Sequence, residues 1–177
     1  LGRYSERFDG TARLLREALG RLLEWEQDNT DERCLDDLFE ALEIPVPPVA
    51  QSPRARFFAL RQTLLSLLLE AEHPGSMEVI FNGMLRTGRA VRNHLGDDSW
   101  RLLNRLQQWI QQPSPELGAR QARELLEEEL MLVAAFCGLN NETVPHHQGW
   151  LFFDIGRYLE RVLRTLELFK LAFITAR

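Results

Sequence analysis

Apolar residues recur at three- and four-residue intervals along nearly the whole chain, and no stretch alternates apolar and polar residues as a half-buried strand does. Prolines and glycines interrupt the pattern at 44–49, 73–75, 96, 113–115 and 138–147, where helices are expected to begin or end. The sequence therefore predicts an all-α fold, a single helical bundle of about seven helices over residues 1–177. The predicted helices cover about residues 1–27, 31–43, 53–72, 76–95, 97–112, 115–137 and 148–175.

One charged motif occurs near both ends of the chain. Residues 2–7 read Gly-Arg-Tyr-Ser-Glu-Arg and residues 156–161 read Gly-Arg-Tyr-Leu-Glu-Arg, and in the same ungapped register Thr11 matches Thr165. Core packing alone would repeat apolar residues at helical spacing, but it would not repeat this charged hexapeptide. The repeat predicts that the first and last helices are pseudo-equivalent and that they pack together around one polar site.

The last helix has two contrasting faces when its residues are placed at intervals of about 100°. Most of its large apolar residues share one broad face, which predicts that this face packs into the core. Its members are Leu151, Ile155, Tyr158, Leu159, Val162, Leu166, Phe169 and Phe173. Arg157, Arg161 and Arg164 fall on the opposite face, in line with Leu168 and Leu171. Apolar residues in line with the arginines indicate that the charged face is partly covered as well.

The repeated Glu-Arg pairs are the main candidate site. An unpaired charge between packed helices is very costly, so we expect Arg7 to face Glu160 and Arg161 to face Glu6. Two interpretations are open at this point: the arginines hold an anionic ligand, or the network fixes how the two helices dock. For a ligand site, the substrate-binding candidates are Arg3, Tyr4, Arg7, Arg89, Arg92, Arg157, Tyr158 and Arg161, and the catalytic candidates are Glu6 and Glu160.

Two groups of these candidates have simpler explanations. Arg86, Arg89 and Arg92 recur at three-residue intervals on one central helix. They would add positive charge for a phosphate or carboxylate if that helix lay between the terminal helices, but a solvated helical face explains the spacing equally well. Tyr4 and Tyr158 lie at the edge of the apolar face, where a core tyrosine is the simpler interpretation.

Three motifs in order along the chain resemble the bacterial alpha-E domain family. They are Gly-Arg-Tyr-x-Glu-Arg near the N-terminus, an Arg-rich helix followed by Asp97-x-x-Trp100-x-x-x-Asn104, and Gly149-Trp150 followed by the second Gly-Arg-Tyr-Leu-Glu-Arg. Members of that family are typically encoded beside, or fused to, a circularly permuted ATP-grasp protein, so the resemblance implies such a partner. The chain departs from the family pattern at Ser5, where an apolar residue is usual, and further residues usually precede the first motif.

The resemblance implies a role in ATP-dependent amide or peptide ligation, because ATP-grasp enzymes form amide bonds through an acyl phosphate. The leading hypothesis is an accessory or substrate-binding domain that holds an anionic small-molecule or peptide substrate, or an intermediate, at the paired motifs. One alternative is an enzyme in which Glu160 or Glu6 is a general base acting on an activated acyl group. Another alternative is a scaffold whose Arg–Glu network is purely structural, so whether the chain is an enzyme stays open.

Composition argues against several classes of partner. A net charge of −5 and a pI near 5.5 are unlike a nucleic-acid binder, which normally carries a basic face. The sequence has no apolar run of transmembrane length, so we expect no membrane partner. Cys34 and Cys137 are isolated and form no disulfide framework, which favours a cytoplasmic location.

The sequence also predicts that this domain alone binds no cofactor or metal. Glu70 and His73 form a single Glu-x-x-His motif, whereas a di-iron bundle needs two such motifs and further carboxylates. No Gly-rich phosphate loop is present, so ATP would act through the ATP-grasp partner. The chain begins inside the first motif without Met, and we expect it to be a piece excised from a longer protein.

Overall fold

A computed structural model of the chain describes residues 1–28, 33–48, 52–70, 73–111, 117–143 and 148–175. Within these residues the secondary structure is entirely helical, which confirms the predicted all-α bundle. Seven α-helices and one 3-10 helix follow one another along the described chain. They are α1 (Gly2–Asp28), α2 (Arg33–Ala41), α3 (Pro53–Leu69), α4 (Met77–Ala90), the 3-10 helix (Arg92–His94), α5 (Asp97–Ile110), α6 (Ala119–Thr143) and α7 (Gln148–Thr175).

Serine caps begin two of the helices. The Ser52 side chain accepts a hydrogen bond from the backbone N–H of Ala55 at 3.3 Å, with Pro53 in the first turn of α3. The Ser76 side chain accepts from the N–H of Val79 at 3.2 Å at the start of α4. Both bonds satisfy a backbone donor that has no partner within the helix.

Several helix boundaries differ from the predicted ones. Helix α4 ends at Ala90, before the predicted residue 95, and α6 begins at Ala119, after the predicted residue 115. The N-cap of α5 is Gly96, so Asp97 and Asp98 lie in the first helical turn, where they favour the helix dipole without capping. Helix α6 continues through Gly138 to Thr143. A glycine inside a helix costs only about 1 kcal/mol, and the buried side chains of Phe136 and Asn140 on either side supply packing that outweighs this cost.

Helix α1 is the central element of the bundle, and it packs against α2, α3, α4, α6 and α7. The rings of Phe8 on α1 and Phe81 on α4 meet edge to face, with centroids 6.3 Å apart. The largest fully buried side chains around α1 are Phe8, Leu15, Leu19, Leu22, Phe39, Leu60, Leu64, Phe81 and Phe136. Helix α7 is peripheral, since it packs chiefly on α1 and to a smaller extent on α2.

The orientation of α7 is the opposite of the predicted one. Its charged face is turned toward α1, and Glu160 is only 3% exposed. The apolar face that was predicted to enter the core is exposed to solvent along its whole length. Its members Leu151, Ile155, Tyr158, Leu159, Val162, Leu166, Phe169 and Phe173 are each 49% to 73% exposed. The expected pseudo-equivalence of the terminal helices is therefore not confirmed in their surroundings, because α1 packs against five other helices and α7 against α1 and α2.

No helix within the described residues is long and apolar enough to cross a bilayer.

Candidate functional site

The glycine that begins each repeated motif lies where α1 and α7 come closest. A Cβ atom added at Gly2 would overlap the backbone carbonyl of Phe153. A Cβ atom added at Gly156 would lie 3.2 Å from the backbone nitrogen of Arg3, which is tighter than ordinary contact. The absence of side chains at both positions lets the two helix backbones touch. This close approach brings the charged residues that follow each glycine within hydrogen-bonding distance of the other helix.

Glu160 of α7 lies between two arginines of α1. Arg3 donates from Nε to Glu160 Oε2 at 2.9 Å, and Arg7 donates from Nε to Oε1 at 2.5 Å. The glutamate is buried, whereas the side chains of Arg3 and Arg7 are 55% and 41% exposed. One carboxylate therefore holds two guanidinium groups that both reach solvent.

Glu6 of α1 has the reciprocal arrangement with two arginines of α7. Arg161 donates from Nε to Glu6 Oε1 at 2.6 Å and from Nη2 to Oε2 at 2.9 Å, while Arg157 donates from Nε to Oε2 at 3.3 Å. The predicted pairs of Arg7 with Glu160 and Arg161 with Glu6 are thus both present. We refer to Arg3, Glu6, Arg7, Arg157, Glu160 and Arg161 together as the Arg–Glu cluster.

The electrostatics of the cluster favour the charged form of every group whose pKa departs from its ordinary value. Burial raises the pKa of Glu160, but the hydrogen bonds from Arg7 and Arg3 outweigh burial, so the pKa is lowered overall. The hydrogen bond to Glu160 raises the pKa of Arg7, and the hydrogen bond to Glu6 raises the pKa of Arg161. Glu160 is therefore a carboxylate held ionised, which makes it a weaker base than a free glutamate.

The two motif tyrosines differ in their surroundings. Tyr4 is half-buried, and its ring lies against Gly83, where a Cβ atom would overlap it. The guanidinium carbon of Arg7 lies 6.0 Å from the Tyr4 ring centroid, at the outer limit of a cation–π contact. Tyr158 is 58% exposed with Arg161 at the same distance, so the interpretation of Tyr158 as a core tyrosine is wrong. Both rings flank an arginine of the Arg–Glu cluster.

The central arginines do not join the cluster. Arg89 and Arg92 are exposed, and Arg92 lies over the ring of Trp100 at 5.5 Å from the centroid. The reason is that α4, which carries Arg89, packs beside α1 and not between α1 and α7. Arg92 lies beyond the end of α4, in the 3-10 helix, so the three arginines do not share one helix as predicted. Arg86 alone approaches a motif residue, with Nη2 at 3.5 Å from the Tyr4 hydroxyl. The expectation that Arg89 and Arg92 add charge to this site is not supported by any contact within the described residues.

Sequence reasoning left Arg164 and Thr11 out of the site. Arg164 donates from Nη2 to the Thr11 hydroxyl at 2.5 Å, and its other terminal nitrogen, Nη1, is a buried atom without a hydrogen-bond partner in the described part of the chain. Burial lowers the pKa of Arg164. Gly10 provides the room, since a Cβ atom there would lie 2.7 Å from Nη1. The one signal in the sequence was that Thr11 recurs as Thr165 in the register of the repeat.

A cleft of about 410 Å³ adjoins the cluster on the side of Arg164. Its walls include Glu6 and Arg161 of the cluster, together with Arg13, Arg164 and Thr165. Arg13 is bound to Asp9 through two hydrogen bonds of 2.7 and 3.0 Å. Over the described residues there is no group of three or more histidine, cysteine, aspartate or glutamate side chains placed to hold a metal ion. The cleft is lined by three arginines and by the carboxylates of Glu6, Asp9 and Glu167, so its polar chemistry is that of guanidinium groups beside carboxylates.

The alpha-E family model, described as a predicted alpha-helical domain with a conserved ER motif, matches residues 1–176. The chain belongs to the alpha-E family. Glutamate followed by arginine, the ER of that description, ends both repeated hexapeptides as Glu6-Arg7 and Glu160-Arg161, which are the four residues at the centre of the Arg–Glu cluster. The motif of this alpha-E domain is thus the contact between its first and last helices.

Three relatives share the whole length of this alpha-E domain. An uncharacterized protein of Mycobacterium bovis and one of Mycobacterium tuberculosis are each 29% identical over 191 aligned residues, and another of Mycobacterium tuberculosis is 28% identical. Each alignment covers 100% of this chain and 22% of the relative, so the chain spans about a fifth of the length of the curated relatives it matches. No solved structure matches the chain.

Proposed function

We propose that this alpha-E domain is an accessory, substrate-binding domain of an ATP-grasp amide or peptide ligase system. In this proposal the Arg–Glu cluster and the adjoining cleft hold a carboxylate or phosphate group of the substrate or of its acyl-phosphate intermediate. ATP is bound by the ATP-grasp partner, which is a separate or fused protein, and this domain contributes arginines and no cofactor.

The observation that carries the proposal is a local surplus of positive charge. The cluster contains four arginines and two glutamates, which leaves a charge of +2 in a chain whose net charge is −5. Arg3, Arg7 and Arg157 reach their glutamate through Nε alone, so their terminal nitrogens remain available for a second anion. A guanidinium fork that already binds one carboxylate at its side is well placed to bind a phosphate or carboxylate at its end.

The cleft supplies a second line of support. Arg164 is largely buried in the wall of the cleft. Its hydrogen-bond partner, the Thr11 hydroxyl, is neutral and does not compensate the charge of the guanidinium. A buried arginine whose Nη1 atom has no partner among the described residues is costly unless an anion approaches it. An anionic group in the cleft would accept from Arg164 and Arg161 together. This arrangement favours a ligand that extends from the cluster into the cleft.

The ion pairs within the cluster favour one other function, a purely structural scaffold. Each glutamate already has two arginine partners, which is what a helix clasp requires without any ligand. The two functions differ in what loss of an arginine does. In a scaffold, loss of Arg7 or Arg161 weakens the α1–α7 contact, whereas in a binding site it removes ligand affinity while the fold persists.

The general-base alternative is the least favoured by the electrostatics. A base works best when its pKa lies near the operating pH, and the pKa of Glu160 is lowered from the ordinary value. Glu160→Gln is nearly isosteric and would abolish product formation if this carboxylate removed a proton. Substrate turnover that persists in the folded variant excludes that role.

The experiment that tests the proposal measures ATP turnover and product formation by the cognate ATP-grasp protein, with and without this domain. We expect the domain to stimulate turnover of amino-acid or peptide substrates. We expect the Arg7→Ala/Arg161→Ala variant to stimulate turnover at least about tenfold less, which corresponds to about 1.4 kcal/mol of binding free energy. The matched control is Arg101→Ala/Arg123→Ala, which removes two exposed arginines from α5 and α6. If the wild-type domain has no effect on turnover or product, the accessory function is wrong.

A further inference from the structure

Helix α7 exposes a continuous apolar surface on the side that faces away from the Arg–Glu cluster. Seven residues lie within about 40° of Val162 when α7 is viewed along its axis, and none of the residues in that sector is charged between 151 and 173. We call this surface the outer stripe. Its residues are Leu151, Ile155, Tyr158, Val162, Leu166, Phe169 and Phe173.

The size of the surface is that of a protein interface. With Phe152, Leu159 and Leu163 on its flank, the outer stripe presents ten large side chains that are 48% to 74% exposed. An aromatic side chain covers about 150–250 Å² and an aliphatic one somewhat less, so these ten side chains, of which four are aromatic, present roughly 800–1,000 Å². A monomer rarely exposes an apolar patch above about 600 Å², and a stable dimer needs about 800 Å² from each partner. This surface therefore needs a cover, and one partner of similar size suffices.

The spacing of the outer stripe is the same in both chain directions. Its residues follow at intervals of 4, 3, 4, 4, 3 and 4, with Val162 at the centre. When two such helices lie antiparallel with their Val162 residues in contact, every stripe residue meets a stripe residue of the other helix. The contacts are Leu151 with Phe173, Ile155 with Phe169, and Tyr158 with Leu166. Each contact matches a larger side chain with a smaller one.

We infer that two copies of this chain associate through their outer stripes, antiparallel and about a two-fold axis at Val162. The same surface then serves both partners, as a two-fold interface requires. The average spacing of the stripe, 11 residues in three turns, is close to that of a straight helix, so the two α7 helices pack without a left-handed supercoil. The Arg–Glu cluster faces α1, so dimerisation and anion binding use different faces of α7.

The mass of the chain in solution tests this inference. We expect light scattering over a concentration series to give twice the 20.6 kDa of the single chain. Val162→Glu puts two like charges against each other on the axis, so the variant should have the single-chain mass with unchanged helicity by circular dichroism. Met131→Glu is the matched control, since Met131 is equally exposed but lies on α6, and it should stay dimeric. Leu166→Glu is a second variant for the same face.

Disulfide trapping tests the direction and register. In a chain whose Cys34 and Cys137 are replaced by alanine, Val162→Cys should cross-link to its counterpart under mild oxidation. Phe173→Cys should not, because the two copies of residue 173 lie at opposite ends of the helix pair, roughly 33 Å from each other. A wild-type chain that is monomeric at every concentration overturns the inference, as does a dimer that survives both glutamate variants. Cross-linking of Phe173→Cys to itself contradicts the antiparallel arrangement.

Discussion

Replacing Glu160 by glutamine is expected to lower the free energy of unfolding by about 2 kcal/mol. The change keeps the shape of the side chain but leaves Arg3 and Arg7 without a carboxylate partner. The magnitude lies between the few tenths of a kcal/mol of an exposed pair and the 3–5 kcal/mol of a fully buried one, because the glutamate is buried and both arginines reach solvent. Urea denaturation followed by circular dichroism measures it.

The control for this variant is Glu17→Gln, which breaks an exposed ion pair with Arg21 on the same helix α1 and should change stability by less than about 0.5 kcal/mol. The loss in Glu160→Gln should also depend on pH. The pKa of Glu160 in the folded state is below its ordinary value, so its contribution is present above the ordinary pKa and is lost as pH falls through the folded one. Equal losses in the two variants at neutral pH would contradict a buried clasp.

Replacing Glu129 by glutamine is expected to stabilise the protein at alkaline pH. Glu129 on α6 is 1% exposed, and among the described residues its Oε2 is a buried atom without a hydrogen-bond partner. Burial raises its pKa from 4.5 to about 8. The folded state therefore keeps a proton that the unfolded chain releases, and stability falls as pH rises from 4.5 through about 8. At about 1.4 kcal/mol per pKa unit, the ceiling on this loss is roughly 5 kcal/mol.

We expect Glu129→Gln to raise the free energy of unfolding by about 2 kcal/mol or more near pH 9 and by less than about 1 kcal/mol near pH 5. Glutamine cannot ionise, so the variant should lose the downward slope of stability between those values. Glu127→Gln is the control, because Glu127 is two residues away and exposed. A wild-type chain whose stability is flat over this range would show that Glu129 is not a buried acid.

The sequence was sufficient to predict the helical bundle and the cross-pairing of the motifs, because both depend on local and reciprocal patterns. Periodicity and proline define the helices, and a charged hexapeptide that occurs twice indicates two surfaces that meet. The predicted helix end at Gly138 was wrong because tertiary packing outweighs a weak local preference there.

The orientation of α7 could not be predicted from the sequence for a physical reason. Hydrophobic periodicity identifies an apolar face, and it is usual for that face to enter the core. Here α1 presents glycine and charged residues that pair with the charged face of α7. Among the described residues, no helix covers the apolar face of α7 in the same way. The misplacement of Arg89 and Arg92 has a related origin, since spacing along the sequence does not fix where α4 ends or which helices lie on either side of it.

Calorimetric titration of the chain with inorganic pyrophosphate measures directly whether the Arg–Glu cluster binds an anion. We expect one saturable site per chain, weakened by salt and weakened at least about tenfold in Arg7→Ala/Arg161→Ala, after circular dichroism has shown that the variant is folded. Arg101→Ala/Arg123→Ala should bind as the wild type does. Absence of saturable binding by the wild-type chain at low salt, or equal binding by a folded Arg7→Ala/Arg161→Ala variant, would contradict the account and leave the cluster as a structural clasp.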